Sequence, residues 1–297
     1  MLLIAALAST LPFHSGAASP NATGTLRKIA ETGSIAMAYN KWEAPFVYAT
    51  NDIEVLGYSH DFSLKIAEAV RRELKLPGLR VKPVLAQLHN RFTAVQDGDV
   101  DISCGTATNT LERQKMVAFS NSIFVTRVRI LTHKESGIKE FADLAGRNVA
   151  VQQDSTSEDA LRKLAGGQDQ ARKVILHPQR RSATVMGLLQ SGQVDAYVMD
   201  DAVLYGVRSL AWQPGSWVIT GKPLSLEAYG CMMRKDDPEF KLVVDREIAR
   251  VMKSGEAQLI YRKWFQSPIP PDGLNLGMPL SDAMIELFNR PNDKAFE

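Results

Sequence analysis

The stretch Cys104 to Ser120, CGTATNTLERQKMVAFS, gathers a hydroxyl-rich loop, a helix start and an arginine, a combination suited to holding a carboxylate. Asn109 followed three residues later by Glu112 reads as a capping box. Free backbone N–H groups around Thr106 to Thr110 would then lie at the positive end of a helix dipole. Arg113 adds a planar, permanently charged fork able to donate two parallel hydrogen bonds to one carboxylate. The same residues also have a plainer use, in which Asn109 only caps and Arg113 pairs with Glu112 or Glu73 at the surface. A second device follows the apolar strand Asn148 to Val151. There QQDSTSEDALRKL carries Ser155 and Glu158 as another capping box, ahead of an amphipathic helix that Gly166 and Gly167 stop. Further on, DAYVMDDAVL puts Asp200 and Asp201 at the close of a buried strand. We assign Asp201 to the start of the next helix and Asp200 to a ligand, since an ionised carboxylate only accepts and suits an ammonium group. Carboxylate receptors in both halves plus an ammonium receptor describe a site for an α-amino acid.

Strands alternating with helices must position these residues. Ser34 to Tyr39 is a β-rich run, and Ser59 is placed to cap a helix in which Phe62, Ile66, Val70 and Leu74 form one apolar stripe. Arg80 to Leu85 is the next strand, Asn90 caps a short helix ended by Gly98, and Val100 to Cys104 is a strand again. The order βαβαβ favours an α/β sheet with ligands at the carboxyl ends of its strands. A similar series runs from Asn148 to about Ser209, then the strand-like Ala228 to Lys235 and helices over Glu239 to Met252, Ala257 to Phe265 and a piece capped by Ser281.

At 297 residues, 45% hydrophobic and 23% charged, the chain can bury one large core or two ordinary ones. A formal charge of +2 with no basic stripe and interleaved aromatics argues against a nucleic-acid partner. The five histidines have no metal-like spacing, and no metal or cofactor is expected. Leu2 to Leu11 is a short apolar run, and Gly16, Ala17 and Ala18 precede a turn-rich segment. Together they read as a signal peptide over residues 1–18, lacking its basic n-region, that directs export. Cys104 and Cys231 suit one disulfide in an oxidising compartment, though two buried thiols would look the same in sequence.

Seven collinear segments carry a family resemblance: GYSHDFSLKIAEAV, NRFTAVQDGDVDISCG, ERQKMVAFSNSIF, DLAGRNVAVQQDSTSE, LLQSGQVDAYVMDD, EAYGCMMRKDD and SGEAQLIYRKWF. In this order they resemble the landmarks of family 3 bacterial extracellular solute-binding proteins. The tail NLGMPLSDAMIELFNRPNDKA is similar to the carboxyl-terminal extension of glutamate/aspartate-binding members. The resemblance implies an α/β fold, a two-lobed periplasmic binding protein of type II, each lobe a mixed sheet flanked by helices, joined by two crossover strands. Residues 19–125 and 229–297 would form lobe 1, and 126–228 lobe 2. It implies a periplasmic monomer that closes over a polar or acidic amino acid and delivers it to the membrane permease of an ABC importer. Carried over residue by residue, Arg113, Thr108 and the amide of Thr156 would hold the α-carboxylate, and Asp200 and Thr106 the α-ammonium.

The side-chain pocket departs from that pattern. Glutamate/aspartate binders typically present arginine, serine, arginine and histidine at the positions of Asn40, Leu88, Arg91 and Ser182, and only Arg91 matches. Charge-assisted hydrogen bonds are worth about 1.5–3 kcal/mol each, so each lost cation shifts preference by about tenfold or more. Arg180 or Arg181 would restore a charge if the loop shifts by a residue. The ligand is therefore glutamate, aspartate, glutamine, asparagine or a relative. The alternative is an enzyme on the same scaffold, a periplasmic cyclohexadienyl (prephenate/arogenate) dehydratase, for which Glu43 is the nearest acid in sequence.

Overall fold

The 16-residue strand Ala118–His133 joins two sheet systems. Its first half pairs antiparallel with Leu226–Met233, from Arg127 opposite Leu226 to Ala118 opposite Met233. Its second half lies between Trp217–Thr220 and Ala196–Asp200. Beyond Ala196–Asp200 the sheet continues through Asn148–Gln152 to Ile175–Gln179, both in parallel register. The computed structural model describes residues 22–50, 54–87, 89–165, 175–179 and 182–296. The expected signal segment 1–18, Leu88, the helix-stopping Gly166 and Gly167, and Arg180 and Arg181 lie outside the described residues. No described helix is long and apolar enough to cross a membrane.

In the other system Ser34–Tyr39 pairs in parallel with Arg80–Leu85, and single bridges from Met37 to Ile102 and from Ser103 to Met232 extend it towards the crossover strand. The expected strand Val100 to Cys104 is therefore only a bridged extended segment. The carboxylate of Asp101 accepts from the N–H of Ala36 at 2.8 Å, and that side-chain bond takes the place of a ladder rung. Alternation distributes side chains to both faces of the larger sheet. Ala150 and Tyr197 pack with Val185, Met186 and Leu204, while Val149, Val151 and Val198 pack with Leu144 and Leu161. The near-continuous apolar runs of these central strands follow from burial on both faces.

The helix Tyr58–Glu73 buries Phe62, Ile66 and Val70, the stripe read from the sequence. Its cap differs: the helix starts one residue before Ser59, after Gly57, because Ser59 is buried and its hydroxyl donates to the carbonyl of Gly105 at 3.3 Å. Asn90 does precede the helix Arg91–Gln96, but its side chain accepts from the N–H of Gln87 instead of capping. Ser281 caps Asp282–Asn289 as expected, its hydroxyl accepting from the N–H of Met284. Phe46, Tyr58, Tyr229, Tyr261 and Phe265 form an aromatic cluster around Phe124 where the crossover strands meet the helices. Tyr58 is thus a core residue. Phe124 is fully buried at the centre of these rings, so Phe124→Ala should lower the unfolding free energy by about 3–5 kcal/mol, read by chemical denaturation.

Candidate functional site

The loop after Ser103 is fastened along the crossover strand. Cys104 and Cys231 form a disulfide, Ser103 and Met232 exchange two backbone hydrogen bonds, and the N–H of Asn109 donates to Ala228. This holds Thr106 and Thr108 beside Leu226–Met233. The expected box of Asn109 and Glu112 is replaced by a cap one residue later. Thr110 Oγ1 accepts from the N–H of Arg113, whereas the Asn109 side chain is fully buried and bonded to Asp293 and Gln114. The helix is a single turn, Leu111–Gln114, and it projects Arg113 back over the loop, where Nη1 donates to the carbonyl of Thr108 at 3.0 Å.

The second device meets the first. Ser155 Oγ accepts from the N–H of Glu158 at 3.1 Å, and Glu158 Oε2 accepts from Asp154 instead of Ser155, a capping box displaced by one residue on its return leg. The helix Thr156–Ala165 begins there. Thr156 Oγ1 donates to Glu227 Oε2 at 3.0 Å and lies 3.4 Å from Thr108 Oγ1. Because its proton is directed to Glu227, the Thr108 hydroxyl is the donor across that contact. Asp200, at the end of Ala196–Asp200, accepts from Ser157 Oγ at 2.9 Å and from the hydroxyl of Tyr229. Asp201 does open the next helix, but its carboxylate does not cap it; the carboxylate accepts from Thr126 Oγ1 and from the N–H of Arg127, tying the helix to the long crossover strand.

A cavity of about 220 Å³ adjoins this cluster, with Asn40, Glu43, Thr106, Gln152, Ser182 and Met199 in its wall. Thr108, Arg113, Thr156 and Asp200 are not in that wall; they belong to the hydrogen-bonded cluster at its side. A small recess with Asn40 and Glu43 in its wall receives Arg91. Arg91 is only 8% exposed and does not pair with Asp97 or Asp61 at the surface; Asp61 is bonded to Lys263 and Trp264. The Nε of Arg91 is buried without a hydrogen-bond partner. Ser182 Oγ is held by Gln152 Oε1 at 2.6 Å and by the Tyr197 hydroxyl at 2.7 Å. Asn40 Oδ1 accepts from the N–H of Trp42, and its Nδ2 donates to Glu43 Oε1 at 3.1 Å.

Charge dominates the chemistry here. Burial, then the charge of Glu227, pushes the Asp200 carboxyl up to about 7, against the lowering effect of Tyr229 and Ser157. Burial, then the charge of Arg91, brings Arg113 down to about 10, so it remains a cation at neutral pH. Burial also lowers Arg91, while Glu43 and Asp200 support its charge. Such a cluster can receive a zwitterion, with its anionic end towards the guanidinium and its cationic end towards Asp200. Among the described residues no group of His, Cys, Asp and Glu is arranged to hold a metal ion. Glu227, Ser157 and Tyr229 were not singled out in the sequence. Their signal was position inside the collinear segments STSE and EAYGCMM, and pairing across the fold was needed to see their use.

Comparison with known proteins adds identity to this geometry. The family model of bacterial extracellular solute-binding proteins, family 3, matches residues 35–267. The chain is 46% identical over 278 residues to a glutamate/aspartate import solute-binding protein of Escherichia coli, covering 94% of this chain and 91% of that one. It is 45% identical to an L-glutamate/L-aspartate-binding protein of Pseudomonas aeruginosa, covering 93% and 91%. These relatives are transport binding proteins, not enzymes. The crystal structure of an ancestral amino acid-binding protein, a precursor of cyclohexadienyl dehydratase, superposes with a TM-score of 0.69 at 26% identity, covering 81% of this chain and 99% of that one. The match runs from the first strand through the crossover strands and both hydroxyl-bearing loops, and the chain belongs to the bacterial extracellular solute-binding proteins, family 3.

Proposed function

We propose that this chain is the exported, monomeric substrate-binding component of an ABC importer. It encloses glutamate, aspartate or a related polar amino acid such as glutamine or asparagine between two lobes, and presents the closed form to a membrane permease. In this reading residues 1–18 are the signal peptide, 19–125 with 229–297 form one lobe, and 126–228 form the other. The observation that carries it is the meeting of Thr108, Thr156, Glu227, Asp200 and Tyr229 in one bonded cluster faced by two arginines. Relatives of about 45% identity that import glutamate and aspartate support the ligand class.

Arg113, Thr108 and the amide of Thr156 take the α-carboxylate in this reading, and Asp200 with Thr106 takes the α-ammonium. The side chain then extends into the cavity towards Asn40, Arg91 and Ser182. A ligand touching both lobes favours the closed state by its differential affinity, and that shape is what the permease distinguishes from the empty form. Micromolar affinity requires only about 8 kcal/mol net. Burial raises the Glu43 carboxyl, but its oxygens accept hydrogen bonds from Asn40 and Thr106, and relatives of about 45% identity that are transport binding proteins do not favour an enzymatic reading.

A calorimetric screen of the twenty amino acids against ligand-stripped protein tests the proposal, which fails if none binds. Arg113→Ala should weaken every amino acid by about 100-fold or more, the loss of two charge-assisted bonds. Undiminished binding would remove Arg113 from the α-carboxylate site. Asp200 gives a pH test. Burial and the charge of Glu227 push its carboxyl up to about 7, among Glu227, Tyr229, Asp201 and the two arginines. An ammonium against it would stabilise the ionised form and lower that value, so binding should release a proton below pH ~7. Affinity should therefore fall as pH drops from about 7 to 5, by up to about tenfold per unit, and be level above 7. Asp200→Asn should bind weakly with a flatter profile.

A further inference from the structure

Glu43 is held inside the site by one partner three residues away and another 63 residues away. Asn40 Nδ2 donates to its Oε1 at 3.1 Å, and Thr106 Oγ1 to its Oε2 at 3.2 Å. Gly105 lies against the carboxylate, where a Cβ would sit 3.4 Å from Glu43 Oε2. The same recess receives Arg91, whose guanidinium is buried and whose Nε–H has no partner. Burial raises the Glu43 carboxyl and lowers the Arg91 guanidinium, and the charge of each partly opposes that effect on the other. The recess thus has Arg91 and Glu43 in its wall, and Glu43, which also lines the cavity, is held by Asn40 and Thr106.

We propose that Glu43 and Arg91 together form a donor and acceptor pair that reads a side-chain amide, so that glutamine or asparagine binds in preference to glutamate or aspartate. This rests on the reading of the site as an amino-acid receptor and narrows its ligand. An amide offers one carbonyl acceptor and an NH₂ donor on the same carbon, which match the Arg91 N–H and the Glu43 carboxylate respectively. A ligand carboxylate offers acceptors only. One of its oxygens would satisfy Arg91, while the other would face the like charge of Glu43. A ligand ammonium or guanidinium meets the opposite difficulty, since it offers donors only and faces Arg91. With Glu43 ionised against Arg91 their charges sum to zero, and a neutral polar side chain leaves that balance in place. Sites built to bond both faces of a polar group reject an analogue that leaves one face unpaired.

The test is a calorimetric titration of the full protein, stripped of ligand, with glutamine, asparagine, glutamate and aspartate. The expected result is that the tightest of the four is an amide, bound tenfold or more tighter than its own acid. Glu43→Gln keeps the shape of the side chain and removes its charge, and should narrow the amide-to-acid ratio by tenfold or more while the melting temperature stays near that of the parent. Should that variant fold poorly, Glu43→Ser serves the same purpose, and the parental ratio is decisive by itself. A parent that binds an acid more tightly than its amide overturns the inference while leaving the receptor reading intact, as does a ratio unmoved in a folded Glu43 variant. Failure of the parent to bind any amino acid would instead overturn the receptor reading on which this inference rests.

Discussion

Charges withdrawn from water without full compensation are the constraint around which this molecule is arranged. Asp200 is 2% exposed and Arg91 8%, and no carboxylate bonds Arg91 Nε. An uncompensated buried ion costs several kcal/mol, so a fold keeps such groups only where something else recovers that cost. Two responses are visible in the structure. Asp200 shifts its carboxyl towards the protonated form and takes hydrogen bonds from Ser157 and Tyr229. The two arginines place their guanidiniums 5.4 and 5.5 Å from the ring of Phe92, which offers a negative face. In the proposed reading a zwitterionic ligand completes the compensation better than either, because its two ends carry charges opposite to those of Asp200 and the arginines.

The fold supplies the precision this requires by building the site on crossover strands. Ala118–His133 pairs with Leu226–Met233 along its first half and with the larger sheet along its second, and Leu226–Met233 carries Glu227, Tyr229 and Cys231 on one eight-residue run. The hydroxyl loop is fixed to that run by the disulfide and by backbone bonds, and Asp200 is fixed to it through Tyr229. Asp201, one residue on, ties the opposite helix to Thr126. Contacts between the halves therefore pass through strands and strand ends, not through mobile side chains alone. This is the geometry from which a small relative rotation can be coupled to occupancy.

Much of this was legible in sequence where the determinant was local. The stripe Phe62, Ile66, Val70, the Ser155 cap and the strand that delivers Asp200 each follow from residues within one turn or strand of one another. Errors arose where a side chain had a distant claim on it. Asn109 looks like the better cap than Thr110, but its amide is used against Asp293, 184 residues away. The segment Val100 to Cys104 has the composition of a strand, but Asp101 spends its carboxylate on Ala36. Glu43 carries no local signal of its use; it reaches the site through Thr106, 63 residues on. The collinear segments of the family resemblance located the frame and the α-amino acid head, whereas side-chain recognition depends on which loops approach one another.

The central claim is that one zwitterionic head is gripped from both lobes at this cluster. A crystal structure of the protein with its tightest-binding amino acid tests it most directly. The account predicts the α-carboxylate within hydrogen-bonding distance of the Arg113 guanidinium and the Thr156 amide, and the α-ammonium on Asp200 and Thr106. A ligand bound in the reverse orientation, or one that touches residues of a single lobe and leaves Asp200 bonded only to Ser157 and Tyr229, would contradict it.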